Sequence, residues 1–421
     1  MIGRLVERLA REVDAADLVE AAEDRITATV DAAGDVACEL ATSETVHARV
    51  FQGGRVGWAA GQAERGDEVV DAAIRSAAGG EPLECHLPVP SPLPAVATAA
   101  PGVSGLGHLE VLGLARALRD RLAGPGRRLE VWAERVVGSV RVSNTRGVTA
   151  EYPRTLVGVG AVARGSAGGG QAPFRLHLGE VALPGLAAIE RLADGIGRWL
   201  DLPTLDAWPL GPTRVWLAPR AVRTLLWPLL DRLRVDGGTG AELSLDPRFT
   251  LSDDPLAPLR PGSRPICDDG VPTRRLSLVE RGAVRQRIVD LAAAARSGKP
   301  ATGHGLRRGL GAPRAAFSNL RLEPGGDDRE ALGRALGTGL LLLDLPWGPT
   351  PGRQTGVFRA RTPWAIGVRG GEVVGRIPGA VVAGNAFDAL AGVVAVGRSA
   401  EWDGSWALPD LVVEPLALLE V

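Results

Sequence analysis

Residues able to do acid–base, nucleophilic or metal chemistry are few and scattered in this 421-residue chain: five histidines (His47, His86, His108, His177, His304) and three cysteines (Cys38, Cys85, Cys267). A metallohydrolase helix needs two histidines on one face with a glutamate beside them, and no histidine here has such a neighbour at ligand spacing. His47 alternates with Val46, Ala48 and Val50 and reads as a surface residue of a strand. Cys85-His86 lies in a proline-rich loop without a partner, so neither a nucleophile nor a metal ligand follows from it. His304 stands between glycines in a functional-looking loop, where exposure to solvent is its expected state. Carboxylates pair at Asp253-Asp254, Asp268-Asp269 and Asp327-Asp328. The last pair precedes an apolar-periodic run and reads as a helix N-cap. Asp268-Asp269-Gly270, between two prolines and ahead of a strand, reads as a turn. There is no Gly-x-Ser-x-Gly elbow and no GxxxxGK[ST] loop, and the Gly-Gly-Thr-Gly run at 237–240 follows a helix instead of opening one. No self-sufficient catalytic site emerges; Asp268, Asp269 and His304 are the candidates that remain.

The elements that must position these residues follow from periodicity. Leu5, Val6, Leu9 and Val13 fall on one face of an opening helix, after which Ile26/Ala28/Val30, Val36/Cys38/Leu40 and Val46/Ala48/Val50 alternate as half-buried strands. Gly53-Gly54 turns the third of these into a fourth strand, and a helix carries Val69, Val70, Ala73, Ile74 and Ala77. Residues 80–105 read as a semi-rigid, proline-rich surface connection. A helix with Val111, Ala115, Leu118 and Leu122 leads to strands between Leu129 and Arg164, with a hairpin turn at Asn144–Gly147, and a further helix is expected at 185–200. Helices and strands are segregated, which predicts an antiparallel α+β fold. The second half opens with a strand at Thr213–Leu217 and a core helix whose Val222, Leu225, Leu226, Leu229, Leu230 and Leu233 share one face, with Pro228 kinking it or shifting its start. Hairpins at Glu280–Gly282 and Gly370-Gly371, a flexible stretch at 297–315 and a short helix at 385–394 complete a mainly-β half. Two domains are expected, 1–205 and 206–421.

Composition excludes some functions. With 48 Lys+Arg against 49 Asp+Glu, the net charge of −1 argues against a nucleic-acid surface held by bulk electrostatics. The longest uncharged stretch, Cys85–Leu109, holds five prolines, which a membrane helix would not tolerate. Nearly every cation is arginine, Lys299 being the single lysine; this reflects composition bias and not phosphate chemistry. The cysteines have no ligand spacing and fit a reducing compartment, and the charged N-terminus has no apolar export segment, so a cytoplasmic location is expected.

Taken in order, the motifs resemble the TldD/PmbA family. Residues 264–274, Arg-Pro-Ile-Cys-Asp-Asp-Gly-Val-Pro-Thr-Arg, are similar to its "RPFDDEGVPTR" element, and 318–325 to "SNLVLEPG". Thr355–Arg359 resembles "TGDFS", and 371–378 with Ala383-Gly384-Asn385 resembles "NGEIVYPV…IAGN". Gly53–Gly57 and Ser143–Gly147 match N-terminal elements more loosely, so the likeness spans nearly the whole chain. It implies Gly270, Asn319, Gly356, Phe358 and Asn385 as residues shaping a chamber or interface. Within that family, TldD-type subunits carry HExxxH on the first helix of the C-terminal domain and a cysteine near the C-terminus, which together bind zinc. The corresponding His, Glu and His positions here hold Trp227, Pro228 and Arg232, and no cysteine follows Val396. Cys267 replaces the first Asp of the DDEG-like element and Asp269 its Glu.

The resemblance therefore implies the metal-free TldE/PmbA-type subunit, with no cofactor of its own. Its expected partner is a TldD-like metallopeptidase subunit that carries the zinc, and the heterodimer encloses a chamber for unfolded or modified peptide, in a specialised-metabolite pathway. Two alternatives stand beside it. One is a free-standing enzyme using Asp268, Asp269 and His304; the other is a homodimeric scaffold that captures peptide by strand addition. The late tryptophans Trp347, Trp364, Trp402 and Trp406 are expected to fill core, with some lining a substrate or partner surface.

Overall fold

The computed structural model describes residues 1–420 except 125, 165–173, 181–198, 200, 236–242, 308, 310, 347–354, 363 and 364, with backbone alone for 174–180. The helix expected at 185–200, the Gly-Gly-Thr-Gly run, Trp347 and Trp364 lie outside the described residues.

The alternating segments of the first half form one antiparallel sheet. Its strands are β1 (Ala15–Val30), β2 (Val36–Gln52), β3 (Arg55–Gln62), β4 (Arg128–Asn144), β5 (Thr149–Arg164) and β6 (Phe174–Glu180), in the order β3-β2-β1-β4-β5-β6. Helix α1 (Ile2–Glu12) and helix α2 (Gly66–Ala78) cover one end of one face, where Leu5 and Leu9 meet Leu18, Val46, Ala48 and Val50. Helix α3 (His108–Leu122) covers the other end, over Ile26, Ala28, Val30 and Val131. The same apolar cluster continues into Trp216, Leu336, Leu341, Ile366 and Val412 of the second half, so the two halves share a core. Residues 80–105 are not a simple surface connection: the segment buries Leu83, Leu87, Ala100 and Val103 and is tied down where Thr98 Oγ1 donates to the Pro153 carbonyl at 2.6 Å.

The second half is mainly β. An eight-stranded sheet contains β7 (Gly211–Leu217), the parallel neighbour Gly339–Leu342, and antiparallel strands that include Val357–Thr362, Ala365–Arg369, Glu372–Ile377, Ala380–Asn385 and Leu411–Glu420. A six-stranded sheet includes Leu251–Asp253, Leu276–Glu280 and Leu320–Leu322. The molecule is thus α+β, with an N-terminal antiparallel sheet and a C-terminal mainly-β part. Between the two C-terminal sheets lie helix α4 (Pro219–Leu225) and helix α5 (Trp227–Arg232), two short helices where the apolar pattern predicts one. Pro228 has no N–H to donate, so it is placed in the first turn of a new helix and not inside a continuous one. The predicted face holds: Leu225, Leu226, Leu229, Leu230 and Leu233 are all fully buried.

Candidate functional site

The element at 264–274 folds as a tight turn. Gly270 N–H donates to the Cys267 carbonyl at 2.9 Å and Cys267 N–H to the Val271 carbonyl at 3.0 Å, with Gly270 at φ +78°, where a Cβ would be strained. The turn aims Asp269 at Arg49 of the N-terminal sheet and Asp268 at the backbone of Arg307. Asp269 Oδ2 accepts the Leu291 amide at 2.8 Å, and Asp269 Oδ1 lies 2.8 Å from Arg49 Nη2 as an ion pair outside hydrogen-bonding alignment. Arg49, on β2, donates from Nε and Nη2 to Asp17 Oδ2 of β1 at 2.9 and 2.6 Å. Arg307 pairs with the other oxygen of Asp17, gives its Nη1 proton to the His47 carbonyl at 2.8 Å, and gives its backbone N–H to Asp268 Oδ2 at 2.7 Å. Gly305 makes this approach possible, since a Cβ there would sit 1.8 Å from Asp269 Oδ2.

Electrostatics define what this cluster does. Burial opposes the charge on Arg49, but Asp17 and Asp269 outweigh it and hold its pKa above the ordinary value. Burial pushes the Asp268 carboxyl upward, against the Arg307 amide and the charges of Arg264 and Arg307. His47, half-buried beneath this layer, is pushed down to about 4, by burial first and then by Arg307. It lines a cleft and is not a plain surface residue. Buried charges that satisfy one another in this way clamp chain segments together and offer little free valence to a substrate. Asp269 therefore ties the second half to the first directly, and Asp268 does so only through Arg307, which reaches Asp17 and the His47 carbonyl. Asp17 and Arg49 could not be anticipated, because in an alternating strand both read as outward-facing.

His304 is not exposed in a flexible loop, as its sequence setting predicts. It is 1% exposed, because Gly305-Leu306 pairs with Arg314-Ala315 and folds the 297–315 stretch back onto the core. Its Nε2 lies 2.9 Å from Asp253 Oδ2, and its Nδ1 lies 2.9 Å from the Thr302 carbonyl and 3.0 Å from Thr302 Oγ1. Asp253 is fully buried and also accepts the Ser318 amide at 2.9 Å. Every ring nitrogen is used and no substrate can reach the ring, so the structure brings His304 to Asp253 and not to Asp268 or Asp269. The cysteines are equally unsuited to nucleophilic work: burial pushes Cys267 up to about 12 and Cys85 up to about 11.

The accessible chemistry lies elsewhere, in a cleft of about 580 Å³ against α5. Trp227 packs edge-to-face on Trp406 with ring centroids 5.7 Å apart, and the Arg223 guanidinium sits 4.9 Å above the Trp406 ring. Arg234 lies over Phe317 at 5.9 Å, while Arg232 points away to Phe387 at 5.5 Å. A second cleft of about 410 Å³ adjoins it, the two sharing Leu306, Phe317, Ser318 and Ser405 in their walls. Trp406 was legible only as a late tryptophan near a loop, and its role as a wall depends on Trp227 arriving from another element.

Residues 238–419 match the model of the PmbA/TldA metallopeptidase C-terminal domain. The match covers the C-terminal part of the chain, and it is this part that resembles the TldD/PmbA family. The comparison with curated proteins finds no match. Among solved structures, TldE from Thermococcus kodakarensis superposes with a TM-score of 0.86 at 18% identity, over 100% of both chains. A protein of Thermotoga maritima described as a candidate modulator of a DNA gyrase gives 0.81 at 19% identity, again over 100% of both chains. One of the same description from Bacteroides thetaiotaomicron gives 0.82 at 17%, over 100% of this chain and 99% of that one. At these identities the likeness is one of fold.

The residues that the sequence resemblance singles out make backbone and packing contacts. Asn319 is fully buried; its Nδ2 donates to the Asp254 carbonyl at 2.9 Å and to Ser263 Oγ at 3.2 Å, and its Oδ1 accepts the Gly262 amide at 3.0 Å. Asn385 caps the helix Ala386–Ala391, accepting the Phe387 amide at 2.8 Å and donating to the Thr355 carbonyl at 3.1 Å. The Gly356 carbonyl accepts the Ala386 amide at 2.8 Å, and Phe358 is buried in the large C-terminal core. Trp227, Pro228 and Arg232 on α5 do not fit a zinc ion, since indole, pyrrolidine and guanidinium offer no thiolate, imidazole or carboxylate donor, and the one carboxylate of that helix, Asp231, lies 3.2 Å from Arg234. Among the described residues no three His, Cys, Asp or Glu side chains are grouped to hold a metal ion, and no described helix is long and apolar enough to cross a membrane.

Proposed function

We propose that this chain is the metal-free subunit of a two-chain TldD/PmbA-type peptidase, forming part of a chamber for unfolded or modified peptide while a TldD-type partner holds the zinc and cuts. The observation that carries the reading is α5. At the place where the family's cleaving subunits are expected to present His, Glu and His, this chain presents Trp227, Pro228 and Arg232, and Trp227 and Trp406 form an aromatic wall on an open cleft. The burial of His304 and the charge-paired state of Asp269 speak against a free-standing enzyme built on those residues. Service in a specialised-metabolite pathway and a cytoplasmic location remain part of the proposal. The test is co-expression with an HExxxH-bearing family member: the two should co-purify as a complex containing zinc, and peptide cleavage should require both. A partner that purifies apart and is equally active alone overturns the reading.

A further inference from the structure

The two adjoining clefts are far more cationic than the chain that forms them. The protein as a whole carries a formal charge of −1. The first cleft is lined by Arg223, Arg234 and Arg314 with no carboxylate among its described lining residues, and the second by Arg154, Arg260, Arg264 and Arg307 against the single carboxylate Asp268. Several of these charges are already spent. Arg307 pairs with Asp17, Arg154 lies 3.2 Å from Glu23, Arg234 lies 3.2 Å from Asp231, and Arg260 sits 5.1 Å over Trp402. Arg223 and Arg314 are exposed and form no salt bridge with a described residue; Arg223 stacks on Trp406 and feels the carboxylates of Asp403 and Asp344 at longer range. Arg264 donates to Ser318 Oγ at 3.1 Å while its buried Nε has no hydrogen-bond partner.

Between these cations lie flat apolar surfaces: Trp227, Trp406, Phe317 and, at the rim, Trp58, which is 42% exposed. Unpaired guanidinium forks next to aromatic faces in a concave site match a ligand that alternates carboxylates with apolar side chains. We propose that the cleft binds an acidic segment of an extended peptide, its carboxylates meeting Arg223, Arg264 and Arg314 and its apolar side chains packing on Trp227, Trp406 and Phe317. The proposal rests on the reading above only in taking a peptide as the ligand. A polynucleotide, the other polyanion that stacks on aromatic rings, is the competing occupant that the test must reject.

The test uses the full-length chain and the anisotropy of dye-labelled peptides. An unstructured peptide alternating Glu and Phe is the probe, and its Lys-for-Glu counterpart and an oligothymidylate are the comparisons. The acidic peptide should bind, weaken as salt is added, and outcompete both comparisons. The double variant Arg223→Ala/Arg314→Ala should weaken it by about tenfold or more, the loss expected of charge-assisted contacts. A second basic groove, with Arg274 and Arg281 in its walls, serves as the control. Arg274→Ala/Arg281→Ala should leave affinity within about twofold, as surface changes away from a site do. Equal binding of the basic peptide, tighter binding of the oligothymidylate, or equal weakening by the control pair overturns the proposal. A zinc-containing complex that cleaves peptide without acidic preference would sink this inference and leave the subunit reading standing. Acidic-peptide binding by a chain that joins no partner would do the reverse.

Discussion

Removing the Asp269 carboxylate should damage folding and not a catalytic step. In the structure Asp269 does two things at once: it satisfies the buried Leu291 amide at 2.8 Å and it balances Arg49 at 2.8 Å. Asp269→Ala removes both, leaving an orphaned amide and leaving Arg49 to share Asp17 with Arg307, at a cost of about 3–5 kcal/mol. Asp269→Asn retains an oxygen for the amide and loses only the ion pair, so about 1–2 kcal/mol is expected. With about 2.1 cal/mol/K of unfolding entropy per residue, a 421-residue chain loses roughly 1 °C of Tm per kcal/mol. Calorimetry should therefore place the Ala variant about 3–6 °C below wild type and the Asn variant about 1–2 °C below. Adding Arg49→Met to Asp269→Ala should cost less than Arg49→Met alone, because the cation that lost its partner is then gone. An Ala variant melting within about 1 °C of wild type would refute the clamp.

Three further outcomes follow from the same geometry. Because burial raises the Asp268 pKa, the folded chain holds its proton more tightly than the unfolded one; stability relative to Asp268→Asn should fall as pH rises through the window above the ordinary value of 3.8, and a gap between the two that does not change with pH contradicts this. His47 is pushed the other way, to about 4 from 6.5, so the unfolded chain takes the proton first and stability should fall as pH drops from about 6.5 to about 4. His47→Gln should remove that part of the urea-unfolding pH profile, and an unchanged profile would count against the buried neutral ring. Native iodoacetamide labelling at mildly alkaline pH, read by mass spectrometry, should modify exposed Cys38 and spare Cys85 and Cys267, whose thiols are held at about 11 and about 12. Rapid labelling of Cys267 would show that the 264–274 turn opens.

What the sequence by itself determined is whatever depends on short-range pattern. Alternation at Val46, Ala48 and Val50, the glycine turn at 53–54, the six-residue apolar face from Val222 to Leu233 and the Asp328 cap, which accepts the Ala331 amide at 2.9 Å, are local signals and they fix local structure. The absence of His, Glu and His on α5 belongs to the same class, because ligand spacing on a helix is a matter of a few residues. The tertiary structure decided which face of each strand meets solvent. Asp17, His47 and Arg49 lie on the side of their strands that alternation assigns to water, yet the turn at 267–270 and the strand at 305–306 cover it. That covering placed Asp269 on Arg49 and Asp268 on the Arg307 amide. It also sealed His304 against Asp253, 51 positions away in sequence, and assembled a cleft from Arg223, Phe317 and Trp406. Burial and charge pairing arise between segments far apart along the chain, so no window of sequence contains them.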